Sequence, residues 1–165
     1  MNKKPLTKKE VINFLNKCNN IDLKTEYINL IDAENRFLAK PITSLINVPP
    51  FNNSAVDGYA LHDKDVGKTN IFKISSRIAA GDAKKFILNR DQVARIFTGA
   101  KMPSNSSTVV MQENVVTKNN CITIIKHPRL GENCRLAGED VAKSKKIFKV
   151  GTKINSQNIS LLAAV

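Results

Sequence analysis

Apolar residues near the amino terminus recur with helical spacing. Val11, Ile12, Phe14 and Leu15 form one apolar stripe that directly follows the segment Thr7–Glu10. That segment has the pattern of a capping box, in which a threonine and a glutamate three residues apart satisfy each other's backbone amides. The pattern predicts a helix from about Lys8 to Lys17.

The next apolar positions give a weaker pattern. Residues Glu26–Ile31 alternate loosely between polar and apolar, which predicts a short strand. Asp32 follows at a position suited to cap a second helix, which would carry Phe37 and Leu38 inward.

After Lys40 the prolines exclude a long helix and the apolar period shortens to two. Gly, Asn and Pro clusters separate the apolar runs, which is typical of a β module, here spanning residues 47–130. The predicted strands are Ile71–Ile74, Val93–Phe97, Thr108–Gln112 and a hairpin of Val115–Thr117 with Cys121–Ile125.

The chain becomes rich in loops again from Gly131. A strand is predicted at Ile147–Val150, and Asn155 is placed to cap a last apolar helix from Ser156 onward. The apolar stripe of that helix reaches Val165 without a stop signal, so we expect the natural protein to continue. The fold class is α+β: residues 1–46 and 131–165 form one discontinuous domain, into which the mainly-β domain of residues 47–130 is inserted.

The composition argues against membrane-spanning, secreted, disulfide-rich and zinc-binding proteins. The 165 residues contain no apolar run long enough for a bilayer span, and no apolar segment follows the basic amino terminus, so we expect a cytoplasmic protein without a membrane partner. Three widely spaced cysteines without a CxxC pair argue against a disulfide framework or a zinc site.

The formal net charge of +12 indicates anionic partners. The lysines are nevertheless spread along the whole chain, aromatic residues are only 5%, and tryptophan is absent, so a base-stacking surface is poorly supplied. A lysine-rich solvated surface is the favoured interpretation. A basic nucleic-acid-binding module and a non-catalytic interaction scaffold stay open as alternatives.

Three short polar clusters carry candidate chemistry: Asn53–Gly58, Thr98–Ala100 and Gly138–Asp140. Each combines a glycine with short oxygen-bearing side chains. If they converge, their carboxylates suit a divalent metal or proton transfer, and their exposed amides suit a phosphate or oxyanion. Taken singly, each also fits an ordinary turn, and local chemistry favours that reading for Asp57-Gly58, a common hairpin signal.

Taken together and in order, the segments FNNSAVDGYA, ARIFTGAKMP, TVVMQE, GENCRLAGEDV and KVGTKI resemble the successive signatures of the MoeA family. These proteins are molybdopterin molybdenumtransferases and include the E domain of gephyrin. The resemblance covers nearly the whole chain. It implies a transferase that inserts molybdate into adenylylated molybdopterin, releases AMP and depends on a divalent cation, usually Mg²⁺.

The resemblance also implies roles for particular residues. Asp57, Thr98 and Asp140 match the family's active-cleft aspartate, threonine and aspartate, so we expect them to be catalytic, with Asp57 and Asp140 holding the metal or its waters. Substrate binding is expected of Ser54, Gly58, Gly99 and Arg135.

Several positions depart from the family pattern, among them Val56, which replaces the usual methionine. Asn52 stands where the family usually has an aspartate, and Leu136 and Ala137 replace basic residues that precede the GED motif. Arg135 alone remains of that basic group, which puts a phosphate role for the group in doubt.

The resemblance implies an elongated homodimer whose cleft is shared between subunits, with residues 1–46 and 131–165 as its linker and dimerisation domain. It also implies a MogA-like molybdopterin adenylyltransferase as a further partner. It places a MogA-like α/β domain and a small C-terminal β domain after Val165, outside this chain. We therefore expect the 165-residue chain to be inactive alone.

Overall fold

A computed structural model describes residues 5–18 and 24–165 of the chain. Helix α1 (Lys8–Lys17) has the predicted bounds, and the predicted capping box forms: Thr7 N donates to Glu10 Oε2 at 2.7 Å and Glu10 N donates to Thr7 Oγ1 at 3.4 Å. Helix α2 (Ser156–Ala163) begins after Asn155, whose side chain accepts from Asn158 N at 2.8 Å. Neither helix of the described ranges is long and apolar enough to cross a membrane.

Strands occupy the region between the two helices. They are β1 (Ile42–Thr43), β2 (Asn53–Ser54), β3 (Gly58–Leu61), β4 (Ile71–Ile78), β5 (Gln92–Ile96), β6 (Thr108–Met111), β7 (Val115–Lys118), β8 (Cys121–Ile124), β9 (Cys134–Arg135) and β10 (Lys146–Phe148). The α+β class is confirmed, and the predicted β7–β8 hairpin, β4, β5, β6 and β10 are all present within a few residues of their expected bounds.

Six strands form the main sheet in the order β6-β3-β5-β4-β8-β7. The β4–β5 pair is parallel, and the other neighbours are antiparallel. β3 is therefore a central strand, paired to β5 on one side and to β6 on the other. All four of its residues are buried.

Alternating side chains supply an apolar cluster to each face of this sheet, as a pleated strand requires. Along β3, Ala60 belongs to one cluster and Tyr59 and Leu61 to the other. In β4 the even-numbered residues Phe72 and Ile78 belong to different clusters, because the pairing with β5 shifts register between Ile74 and Ser76. Such an irregularity reverses which face the following residues occupy.

Two small ribbons connect distant parts of the chain. β1 pairs with β10, which brings the segments before and after the main sheet together, and β2 pairs with β9 beside the sheet. The domain boundaries at residues 46 and 131 stay a prediction.

Two predictions for residues 26–38 are wrong. The segment Glu26–Ile31 is not a strand, since it is irregular up to a 3₁₀ turn at Leu30–Asp32. Asp32 lies inside that turn and caps no second helix. Phe37, expected inward, is 64% exposed and forms an isolated bridge with Lys153.

Candidate functional site

Asp57 and Thr98 meet at one end of the main sheet. Gly58 of β3 pairs with Ile96 of β5 in antiparallel register, so the residues just outside the two strands come together. Asp57 Oδ1 accepts from the backbone N of Thr98 at 2.8 Å and from its Oγ1 at 2.7 Å. Gly58 is the first residue of β3, which pairs with β5 and β6, whereas the preceding strand β2 pairs with β9. The hairpin-turn interpretation of Asp57-Gly58 is therefore wrong.

These two donors keep Asp57 ionised. The hydrogen bond from the Thr98 amide, followed by that from the Thr98 hydroxyl, lowers the pKa of Asp57 below its ordinary value, with a smaller contribution from the Arg95 charge. Because both bonds fall on Oδ1, Oδ2 has no protein donor within the described part of the chain. The carboxylate is thus oriented and still has one oxygen available as an acceptor.

Gly58 and Ser54, which lie beside this pair, make contacts with neighbouring backbone carbonyl groups. Gly58 is buried, and a Cβ there would lie 2.1 Å from the carbonyl oxygen of Val110, so the close approach that requires glycine is to a neighbouring strand. Ser54 is 1% exposed, and its Oγ donates to the Val56 carbonyl at 2.6 Å. Substrate binding by these two residues stays a prediction.

Gly99 has the backbone conformation that glycine favours, with φ of 78°. Its N donates to Ser54 O at 2.8 Å, and Ser54 N donates to Ala100 O at 3.0 Å. The Thr98–Ala100 turn is thereby fixed against β2. Gly99 itself is exposed, and its predicted contact with substrate stays a prediction.

Arg135, Glu139 and Asp140 form a second polar unit. Arg135 Nε donates to Glu139 Oε1 at 2.9 Å, and its terminal nitrogen lies 2.7 Å from both carboxylate oxygens of Asp140. The hydrogen bond from Arg135 and that from the backbone of Leu136 lower the pKa of Glu139, and the two carboxylates raise the pKa of Arg135. Arg135 thus has its charge balanced within the loop.

The loop that carries this unit is attached to the segment before β2. Gly138 N donates to Pro49 O at 2.9 Å, and Asp140 N donates to Val48 O at 3.0 Å. Asn52, the departure from the family's aspartate, accepts from Ala137 N through Oδ1 at 2.8 Å. The amide side chain therefore holds the loop in place.

The ribbon β2–β9 links the two units. Asn53 pairs with Arg135 and Ser54 with Cys134, so Arg135 lies one strand away from the residues that hold the Thr98 turn. The structure thus joins Asp57 to Thr98 and Arg135 to Asp140, with Ser54 and Gly99 between them. No hydrogen bond connects the Asp57 and Asp140 side chains among the described residues.

Asp57 and Asp140 are the carboxylates that the sequence assigns to a magnesium ion. In residues 5–18 and 24–165, no group of three carboxylate, imidazole or thiol side chains is gathered where it could hold a metal ion. Both carboxylate oxygens of Asp140 bond to Arg135, and one oxygen of Asp57 bonds to Thr98. Mg²⁺ usually takes one or two carboxylates and keeps several waters, and its binding by Asp57 and Asp140 stays a prediction.

Two residues beside Asp57 were not identified from the sequence as site residues. Arg95 donates to Gly58 O at 3.2 Å and also to the side-chain oxygen of Gln112, and Gln112 N donates to Asp57 O at 3.1 Å. Both lie inside recognised segments, ARIFTGAKMP and TVVMQE. Their nearness to Asp57 depends on β3 pairing with β5 and β6, which local patterns do not specify.

Comparison with known proteins identifies the family of the chain. The family model described as "MoeA N-terminal region (domain I and II)" matches residues 6–165. A molybdopterin molybdenumtransferase from Nostoc sp. is 39% identical over 145 residues, covering 85% of this chain and 33% of the relative. The same-named protein from Haemophilus influenzae is 36% identical over 143 residues, covering 86% of this chain and 35% of the relative.

The crystal structure of the molybdopterin biosynthesis MoeA protein from Pyrococcus horikosii superposes on this fold with a TM-score of 0.78 at 32% identity. The match covers 85% of this chain and 37% of that one. The chain therefore spans about a third of the length of the relatives that it matches. Its sequence over residues 6–165 and its α+β architecture together show that it belongs to the MoeA N-terminal region family.

Proposed function

We propose that this chain supplies the amino-terminal part of a molybdopterin molybdenumtransferase of molybdenum cofactor biosynthesis. In that reaction molybdate is inserted into adenylylated molybdopterin and AMP is released. The support is the family membership together with one geometric observation: Asp57 is held by two donors from Thr98 at an open end of the sheet.

The Asp57 carboxylate has the features of a group that acts on a polar substrate. It is ionised, oriented through Oδ1 and open at Oδ2, so it can accept a hydrogen bond from a substrate or a water molecule. Thr98 orients the carboxylate through its amide and its hydroxyl. Asp57 and Asp140 would hold Mg²⁺ or its waters, and the ion would supply positive charge beside an anionic substrate.

The remaining parts of the proposal concern assembly. We place the protein in the cytoplasm as a homodimer, with this β module facing an α/β domain of the partner subunit across a shared cleft. A MogA-like adenylyltransferase is the class of enzyme that supplies the adenylylated substrate. Because the chain spans only a third of its relatives, each site would be incomplete in this chain by itself.

The test is Asp57→Asn in the protein of natural length, with molybdenum cofactor formation and AMP release as the two measurements. We expect both rates to fall about a hundredfold or more, because the substitution removes the carboxylate charge and its basicity while keeping its shape. Wild-type 165-residue chain assayed alone should show no molybdate insertion.

Asp63→Asn is the matched control. Asp63 Oδ1 accepts from Ser107 N and Ser107 Oγ, each at 2.7 Å, which reproduces the Asp57 arrangement beyond the other end of β3. The control should keep its activity. Unchanged cofactor formation in Asp57→Asn would favour the scaffold alternative, and insertion by the 165-residue chain would contradict the requirement for a further domain.

The nucleic-acid alternative has its own measurement. A basic module held by phosphate contacts binds DNA with an affinity that falls steeply as salt rises. Tight and salt-sensitive retardation of DNA by the chain would favour that alternative over the transferase.

A further inference from the structure

Arg95 reaches the Asp57 segment from two directions. It lies on β5 opposite Tyr59 of β3, and one terminal nitrogen donates to Gly58 O at 3.2 Å. The other terminal nitrogen donates to Gln112 Oε1, and Gln112 N donates to Asp57 O at 3.1 Å. One guanidinium therefore fixes the carbonyl after Asp57 directly and the carbonyl of Asp57 through a single intermediate residue.

Aromatic rings fix the guanidinium itself. The Arg95 Cζ atom lies 5.0 Å from the ring centroid of Tyr59 and 4.7 Å from that of Phe97. Tyr59 follows Gly58 in β3, and Phe97 immediately precedes Thr98. Cation–π contact with both rings holds the planar fork between the two chain segments that end in Asp57 and Thr98.

We propose that Arg95 is a positioning residue that sets the geometry of the Asp57–Thr98 pair by bridging β3, β5 and the turn after β6. The inference deepens the proposed function, on which its catalytic consequence rests, while the positioning itself is measurable without any reaction. A lysine cannot replace this arginine, because a single ammonium does not present the two coplanar donors that the bridge uses.

Arg77 provides a matched control on the same ring. Its Cζ atom lies 4.5 Å from the Phe97 centroid, as close as that of Arg95, and it pairs with Arg95 across β4 and β5. It makes no hydrogen bond to Gly58 or Gln112 in the described structure. Arg77→Met thus removes a stacked cation from Phe97 without touching the bridge.

The experiment compares Arg95→Met, Arg95→Lys and Arg77→Met in the 165-residue chain. The readouts are the hydrogen exchange of the Thr98 amide, which donates to Asp57 Oδ1, and of the Gln112 amide, which donates to Asp57 O. We expect Arg95→Met to speed the exchange of both amides by about tenfold, because the two chain segments are no longer held together by the guanidinium. Arg95→Lys should also speed both, and Arg77→Met should match wild type.

Exchange of the Thr98 and Gln112 amides at wild-type rates in Arg95→Met would overturn the proposal, as would an equal response in Arg77→Met. If Arg95→Met does not fold, Arg95→Lys and Gln112→Ala decide by the same two readouts, since Gln112→Ala breaks one arm of the bridge and leaves the stacking in place.

Turnover in the natural-length protein separates this inference from the proposed function. Arg95→Lys should lower kcat about tenfold with little change in KM, because the substrate-binding surfaces remain while the carboxylate is less well oriented. If the exchange readouts respond and Asp57→Asn still has full activity, the positioning role stands and the proposed function fails.

Discussion

At the scale of single residues, the turn at Thr98 orients the Asp57 carboxylate and stabilises its charged form. The two donors come from one residue, so a single backbone placement sets both. They stabilise the ionised form, since hydrogen bonds to a carboxylate are among the stronger ones in proteins. The carboxylate therefore stays charged in acid that would protonate an isolated aspartate.

Thr98→Val separates the two donors. Valine removes the hydroxyl and keeps the backbone amide, which makes the larger contribution, so the pKa of Asp57 should rise only part of the way to its ordinary value. ¹³C NMR titration of the Asp57 carboxyl measures the change. Thr98→Ser retains both donors and should titrate like wild type, and an equal rise in the two variants would show that the hydroxyl bond is unimportant.

The loss of stability caused by Thr98→Val should depend on pH. Because the folded pKa of Asp57 lies below its unfolded value, the hydrogen bonds stabilise the fold at pH above the unfolded pKa and lose that effect as pH falls through the folded pKa. The stability difference between wild type and Thr98→Val should therefore be present at neutral pH and vanish in strong acid.

At the scale of elements, the site depends on how closely β3 and β6 approach. Gly58 pairs with Met111 across these strands, and the Val110 carbonyl occupies the space where a side chain would begin. This contact keeps Gln112 near Asp57, because Gln112 directly follows β6. The glycine thus contributes to the site through strand spacing.

Gly58→Ala tests this spacing. Its Cβ would lie 2.1 Å from the Val110 carbonyl oxygen and 2.9 Å from the Val109 side chain, so β6 must move. We expect a loss of about 3 kcal/mol in the free energy of unfolding, measured by urea denaturation. Gly151→Ala, at a positive φ but in open space, should lose only about 1 kcal/mol. Equal losses would contradict the close-approach explanation.

Local patterns were sufficient for elements whose stabilising contacts are close in sequence. The Thr7 capping box specified α1, Asn155 specified the start of α2, and the Lys118-Asn119-Asn120 turn specified the β7–β8 hairpin. Residues 35–38 were mispredicted as helical because two of their backbone amides bond more than a hundred positions away, Asn35 N to Ile154 O at 2.9 Å and Leu38 N to Thr152 O at 3.0 Å.

For the site, too, the sequence identified the motif residues but not the residues brought beside them by strand pairing. Motifs identified Asp57, Thr98 and Asp140 as candidates, but their neighbours follow from strand register. Asp57 meets Thr98 and Arg95 through β3–β5 pairing, and Gln112 joins them because β6 lies on the other side of β3. No short segment of the sequence specifies long-range strand pairing of this kind.

At the scale of the whole molecule, α1 is left uncovered by the part of the chain that the structure describes. None of its residues is buried, although Val11, Ile12, Phe14 and Leu15 form a continuous apolar stripe, with Phe14 64% and Leu15 57% exposed. An amphipathic helix gains most of its stability from burying such a stripe. A second subunit, as in the proposed homodimer, would provide that burial.

Phe14→Glu tests this assembly in the protein of natural length. A charge in the middle of the apolar stripe should raise the dimer dissociation constant about tenfold or more, because the charge would have to be desolvated at the interface. Sedimentation velocity over a range of concentrations measures the constant.

Asn13→Glu is the control: it adds the same charge one residue away, on the polar side of α1, and should leave the dissociation constant unchanged. Because both positions are exposed in the single chain, neither variant should alter its folding, so a shift in the dissociation constant reports on the interface itself. Equal dissociation constants for the two variants would mean that the α1 stripe is not where the subunits meet.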